Sequence, residues 1–270
     1  MQTAEAIAPT PANGTDEVLM EKVGDHIALV TLNRPDVCNA VNVEMSRKML
    51  RIVWLIEHDP EIRVAVLTGT GNSFSAGADL TELCEGQGRN IADGPAGFGG
   101  FVLAARSKPW IAAVHGHALG GGTEMVLACE MAVAGQNSTF GLPEVKRCLV
   151  PGAGGAFRLP RSIPRVFANQ MVLTGEPISA QKAEQFGLIN MIVDDDKVLD
   201  EALKLARSIA SNAPLAVQEA MKLLRMAEDH GDDELARNTI RSIGRLMHTE
   251  DFREGPRAFL ERRDAVWKGR

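Results

Sequence analysis

Cysteine is sparse in this chain, and its spacing excludes the chemistry that pairs it. Cys38, Cys84, Cys129 and Cys148 form no CxxC pair and have no histidine at metal-ligand spacing, so neither a disulfide scaffold nor a zinc module is expected. Long apolar runs are missing too: even residues 109–134 are broken by two histidines, four glycines and two glutamates, which argues against a membrane-spanning helix. The opening MQTAEAIAPTPANGT has no basic side chain and no long apolar core, so residues 1–15 read as a loose tail and not as a secretory or transit signal. Reduced thiols without a signal imply a cytoplasmic protein. Net positive charge is also lacking. At −6, the balance argues against a nucleic-acid binder, and any polyanion would need a local basic patch. Nucleotide motifs fail as well. There is no GxxxxGK[ST], and neither glycine run fits GxGxxG, because Gly69 and Gly71 are followed by Phe74, and Gly152 and Gly154 by Phe157. Without a GxSxG elbow, an α/β-hydrolase fits no better than a Rossmann dehydrogenase.

What is present is a large apolar fraction, 45% of 270 residues, enough for a sizeable core. The segment 109–143, PWIAAVHGHALGGGTEMVLACEMAVAGQNSTFGLP, concentrates the signal. Its thirty-five residues hold only two charged side chains, Glu124 and Glu130, in a chain that is 24% charged. An apolar run leads into Gly116, Gly120, Gly121 and Gly122, which open onto a helical pattern at 123–129. A carboxylate flanked by Met125, Val126, Leu127 and Ala128 is costly to bury unless something uses it. Burial raises its pKa, while the helix N-terminus pulls the other way. Consecutive glycines before a helix let backbone approach a ligand and leave N–H groups free for an anion or a developing oxyanion. Tight helix packing by the glycines, with Glu124 paired to an arginine elsewhere, explains the same residues equally well at this point.

Order along the chain points to an α/β core. IALVTL at 27–32 reads as a strand closed by NRP, and apolar spacing predicts a helix over 43–58 ended by Asp59-Pro60. A strand at 64–68 runs into GTGNSFSAGADL, and ligands of such sheets are met by the loops that follow strands. Residues 81–100 are polar and glycine-rich, as a mobile lid or a disordered loop would be. Further strands are expected at 111–114, 131–134 and 189–193, with GAGG at 152–155 as a flexible turn beside Glu144. Helical spacing follows at 165–173, 180–186, 198–212 and from Pro214, and the stretch from Gly231 to Arg270 reads as helical and basic toward its end.

Taken together, FSAGADL (74–80), IAAVHGHALGGGTE (111–124), FGLPEV (140–145), VPGAGG (150–155) and LTGEPISAQKAEQFGLIN (173–190) resemble the enoyl-CoA hydratase/isomerase family, the crotonases. NRPDVCNAVN (33–42) and EGPRAFLERR (254–263) extend that resemblance over about 29–263. It implies an α/β fold, a spiral of ββα turns at 16–205 after the tail at 1–15, with a helical region at 206–270 that makes homotrimers or dimers of trimers. It also implies an acyl-CoA thioester substrate, CoA being part of the substrate, with no metal or redox cofactor.

The resemblance places an oxyanion hole at the backbone N–H groups of Ala78 and Gly121, and general acid–base partners at Glu124 and Glu144. Glu124 would help activate the water that attacks Cβ, and Glu144 would deliver a proton to Cα. Gly152 matches a backbone donor near that water. Substrate and CoA contacts are expected at Arg34, Ala76, Asp79, Leu80, Phe259 and Arg262, the last two sometimes reaching the next subunit. Cys38 stands where relatives often carry a basic residue, so Arg34 or the basic C-terminus would have to replace one phosphate contact. KRC at 146–148 replaces the more usual small and apolar residues after PEV. Two glutamates favour reversible hydration of a 2-trans-enoyl-CoA. Double-bond isomerisation, carnitinyl-CoA-type dehydration, and decarboxylation or hydrolysis of an acyl-CoA share the same oxyanion hole. Some relatives bind RNA, and the acidic total with the acid pair argues against that class here.

Overall fold

Short apolar runs bounded by turn residues become the strands of this protein, whose computed structural model describes residues 16–92 and 94–270. The expected tail at 1–15 lies outside the described residues. The strands are β1 (Val18–Lys22), β2 (Ile27–Leu32), β3 (Val64–Gly69), β4 (Trp110–Val114), β5 (His117–Leu119), β6 (Met131–Gly135), β7 (Thr139–Gly141), β8 (Ile178–Ser179) and β9 (Met191–Val193). Six of them form a sheet in the order β1-β2-β3-β4-β6-β9, and β5-β7-β8 form a second, smaller sheet. Within the larger sheet β1 is antiparallel to β2, and β2 through β9 run parallel. A parallel sheet is covered on both faces, which is why its strands are almost wholly apolar. Ala65 and Leu67 of β3, with Ala112 and Val114 of β4, face one core, while Val64, Val66, Ile111 and Ala113 face the other.

Eleven helices fill the connections among the described residues: α1 (Val43–His58), α2 (Leu80–Cys84), α3 (Gly88–Ala92), α4 (Gly121–Leu127), α5 (Gly155–Ser162), α6 (Arg165–Thr174), α7 (Ala180–Phe186), α8 (Val198–Ala210), α9 (Pro214–Met226), α10 (Asp232–Leu246) and α11 (Glu250–Glu261). The fullest turns lay a strand in the large sheet, then a short one in the small sheet, then a helix, as β4, β5 and α4 do. Ser75 joins this pattern through a bridge to Ala118. The stacked turns are the ββα spiral. α8 covers the outer face with Val198, Ala202, Leu203, Ala206 and Ala210, a stripe of helical spacing that a long helix can bury.

Local chemistry fixes the helix ends. The Asn42 side chain accepts the Met45 N–H at 2.7 Å and starts α1. Lys108, buried, donates to the carbonyls of Ile56 and Asp59 at 2.5 and 2.6 Å and closes it. Asn39, with no exposed surface, accepts the Arg34 N–H at 2.8 Å and donates to Thr70 O and Ser73 O at 2.9 and 2.8 Å. One amide thereby ties the loop after β2 to the loop after β3.

Two expectations need correction. The 81–100 segment is not a structureless lid: it forms α2, α3 and a 3-10 turn, because Ile91 and Phe98 have core to bury in. GAGG at 152–155 makes the expected turn, and its last glycine begins α5. The helical pattern from 231 stops at Glu261, where Arg262 takes a left-handed backbone (φ 54°). The last residues fold back, with Trp267 Nε1 donating to Ser211 O at 2.8 Å and Arg63 Nη2 donating to Trp267 O at 3.1 Å. β1 and the short strands of the small sheet carry too few residues to show a period.

Replacing Asn39 with alanine strands the buried Ser73 carbonyl and the part-buried Thr70 carbonyl and Arg34 N–H. We expect about 3 kcal/mol lower stability in urea unfolding, each stranded group costing about 1–3 kcal/mol and partial relaxation recovering some of it. A loss below about 1 kcal/mol would show that the loops hold without this link.

Candidate active site

The loop after β3 and the turn between β5 and α4 meet with no side chains between them. Leu119 N–H donates to Ser75 O at 2.9 Å, and Ser75 Oγ accepts the Gly77 N–H at 3.1 Å. A Cβ on Gly77 (φ 88°) would sit 2.7 Å from Leu119 O and 2.8 Å from Gly121 N, and one on Gly122 would strike Ser75 O. Glycine is required at both positions for the backbones to come this close. Behind the turn, Gly120 N–H donates to Gly141 O at 2.8 Å, and Thr123 Oγ1 donates to Ala118 O at 2.6 Å.

This contact leaves two amides without work. Ala76 N–H is used by Cys38 O and Asp79 N–H by Val41 O, but Ala78 N–H between them meets no acceptor among the described residues. Gly121 is the first residue of α4, and its N–H is likewise unpaired because a helix supplies no acceptor there. Both residues line a cavity of about 490 Å³. Helix α4 therefore begins two residues before the helical pattern of the sequence does, with Gly120 as its N-cap.

Glu124 and Glu144 line the same cavity. Glu124 is 3% exposed and has no ion pair among the described residues. Its Oε1 accepts the Ala153 and Gly155 N–H groups at 2.7 and 2.8 Å. Burial pushes its pKa up to about 7, the Gly155 N–H opposes this, and the Glu144 charge adds to it. Arg158 stands behind: it donates to Ala153 O at 3.3 Å and Val102 O at 2.7 Å, and its charge draws Glu124 back down. Glu144 sits in a 3-10 turn at Pro143–Arg147. Burial raises its pKa, its own backbone N–H and Arg147 lower it, and its buried Oε2 has no hydrogen-bond partner. Lys146 pairs with Glu176 and not with Glu144.

Of the other residues singled out in the sequence, Ala76, Leu80 and Gly152 line the cavity. Arg34 and Asp79 do not line it. They pair with each other at 3.0 Å, and Arg34 also donates to Ala40 O at 2.5 Å. Asp79 caps α2 by accepting the Thr81 N–H at 3.1 Å. Phe259, 83% exposed, and Arg262 lie on α11 and at its end, away from the cavity of their own chain. The donors Ala153 and Gly155, the cation Arg158 and the cavity-lining Arg147 and Phe98 carry no motif that singles them out one by one. The ring of Phe98 lies against Gly121, where any Cβ would strike it.

A family model for enoyl-CoA hydratase/isomerase matches residues 22–270. The chain belongs to that family. Its spiral is the crotonase fold: an enoyl-CoA hydratase of Mycobacterium tuberculosis H37Rv superposes with a TM-score of 0.90 at 39% identity, covering 94% of this chain and 100% of the other. A carnitinyl-CoA hydratase of Mycobacterium avium is 43% identical, with a TM-score of 0.74 over 94% of this chain and 99% of that one. A carnitinyl-CoA dehydratase of Salmonella paratyphi A is 39% identical over 247 residues, 89% of this chain and 94% of its own length. Within this crotonase chain, no group of three or more His, Cys, Asp or Glu side chains among the described residues is placed to hold a metal ion. No helix among them is long and apolar enough to cross a membrane.

Because the folded protein holds the Glu124 proton more tightly than an unfolded chain does, the stability contributed by that proton is complete below about pH 4.5. It is lost as the pH rises to about 7. Glu124→Gln keeps an oxygen for Ala153 and Gly155 and removes the charge. We expect it to stabilise the protein by about 3 kcal/mol more at pH 8 than at pH 4.5, on about 1.4 kcal/mol per pKa unit. Equal effects at the two pH values in urea unfolding would contradict a buried, raised carboxyl.

Proposed function

We propose that this protein is a 2-enoyl-CoA hydratase, adding water reversibly to a 2-trans-enoyl-CoA to give a 3-hydroxyacyl-CoA. One observation carries the reading: two unpaired amides, the buried Glu124 and the half-buried Glu144 share a single cavity. The N–H groups of Ala78 and Gly121 would hold the thioester oxygen as it gains charge, and each such donor is typically worth about 3 kcal/mol of barrier. Glu124, held in place by two N–H groups and with its pKa near 7, would take the proton of the water attacking Cβ. Glu144, whose raised pKa favours the protonated form and whose Oε2 has nothing else to bind, would give a proton to Cα. The two titrate as a coupled pair. Gly152, beside the donors Ala153 and Gly155, would bind the same water. No metal or redox cofactor takes part in this scheme.

A second reading, dehydration of a carnitinyl-CoA-type substrate, is supported by the relatives that carry that name. It runs the same steps backward on a chain ending in a cation. RNA binding is disfavoured, because Arg257, Arg263, Lys268 and Arg270 are paired with Glu261, Glu254 and Glu250. We assign the exposed apolar side chains Ile240, Phe259 and Leu260 to contacts between copies in a homotrimer or dimer of trimers. Phe259 and Arg262 would then meet CoA bound to the next subunit. The four free cysteines fit a cytoplasmic setting.

Crotonyl-CoA absorbance at the conjugated thioester band should fall on adding the protein, and Glu144→Gln should slow this about 10³-fold while saturated acyl-CoA still binds. Full activity in Glu144→Gln would remove that residue from the mechanism. Sedimentation should give the mass of three or six chains, and Leu260→Asp should lower it; a monomeric wild type would refute the assembly.

A further inference from the structure

Among the described residues that line the cavity, only three are charged: Glu124, Glu144 and Arg147. The neighbouring cation, Lys146, is neutralised by Glu176 at 2.5 Å. Arg147 makes no hydrogen bond or ion pair with any described residue. It acts on Glu144 through space only, since Glu144 Oε2 stays unbonded. The left-handed backbone of Cys148 (φ 57°) ends the 3-10 turn just after it and fixes where the arginine stands. Leu149 and Val150, which follow Arg147 in the chain, also line the cavity, and all three are exposed, so the one unpaired cation among the described lining residues stands beside apolar side chains at the exposed part of the wall.

We infer that Arg147 is a specificity-determining residue that selects acyl chains ending in a carboxylate and disfavours chains ending in a cation such as trimethylammonium. The inference rests on the cavity being the acyl-CoA site. Apolar walls accept the methylenes of such a chain, and a guanidinium binds a terminal carboxylate through two parallel N–H donors, the geometry that a lysine at this place would not reproduce. The same charge meets a trimethylammonium group with repulsion, so discrimination comes from both attraction and exclusion. Burial, which favours the protonated form of Glu144, lessens the repulsion that an anionic chain end would meet from that side.

Saturated thioesters test this without turnover. Calorimetry on the full-length protein would compare glutaryl-CoA, butyryl-CoA and free CoA for wild type, Arg147→Met and Arg147→Glu. We expect wild type to bind glutaryl-CoA at least fivefold more tightly than butyryl-CoA, Arg147→Met to bring the ratio near one, and Arg147→Glu to reverse it. A ratio that does not change in either variant, or an equal loss of affinity for all three ligands including free CoA, would overturn the inference. Hydration of crotonyl-CoA by the wild type separates the two readings. A carboxylate preference without hydration leaves charge selection standing and removes the hydratase, and hydration without the preference does the reverse.

Discussion

Everything in this cavity depends on two stretches of backbone lying in contact with no side chain between them. Gly77 faces the Leu119–Gly121 turn, and Gly122 faces Ser75, at separations that a methyl group would not survive. That contact is held from both sides: Asn39 ties the loop after β3 to the loop after β2, and Thr123 ties the start of α4 to β7. Its product is a pair of N–H groups, Ala78 and Gly121, that meet no acceptor among the described residues. Unpaired amides in a recess are costly to a folded protein. They are also donors that need no reorganisation when charge develops opposite them.

The second constraint is electrostatic. A helix that begins at the glycine turn puts Glu124 one turn inside, where the surroundings are apolar. The chain offers this carboxyl two backbone donors from 153 and 155 and a guanidinium behind them, and burial still wins, lifting the group toward neutrality. Glu144 is raised by burial as well, with Arg147 acting against it. Two carboxyl groups sharing one recess, both raised by burial, can exchange protons with a bound molecule at lower cost than carboxyls on open surface.

Much of the architecture was legible in the residues. Strand β2 and helices α1 and α7 occupy the residues that their patterns mark, because apolar runs and caps are local signals. Segment 81–100 was not legible: its glycines suggest a free loop, yet Ile91 and Phe98 are buried by partners far away in sequence. Arg34 shows the same limit at the site. Its charge suggests a phosphate contact, while in the fold its guanidinium is paired with Asp79, forty-five residues on.

From sequence alone came the family resemblance, the α/β order, and the suspicion that falls on Glu124, since a lone carboxylate in an apolar stretch and a run of glycines are properties of neighbouring residues. Tertiary structure alone decided that Ala153 and Gly155 donate to Glu124, and that Arg147 lacks a partner among the described residues while Lys146 has one. Those facts are distances between residues far apart in the chain, or between a side chain and whatever surface happens to fold beside it. Local pattern contains no record of either.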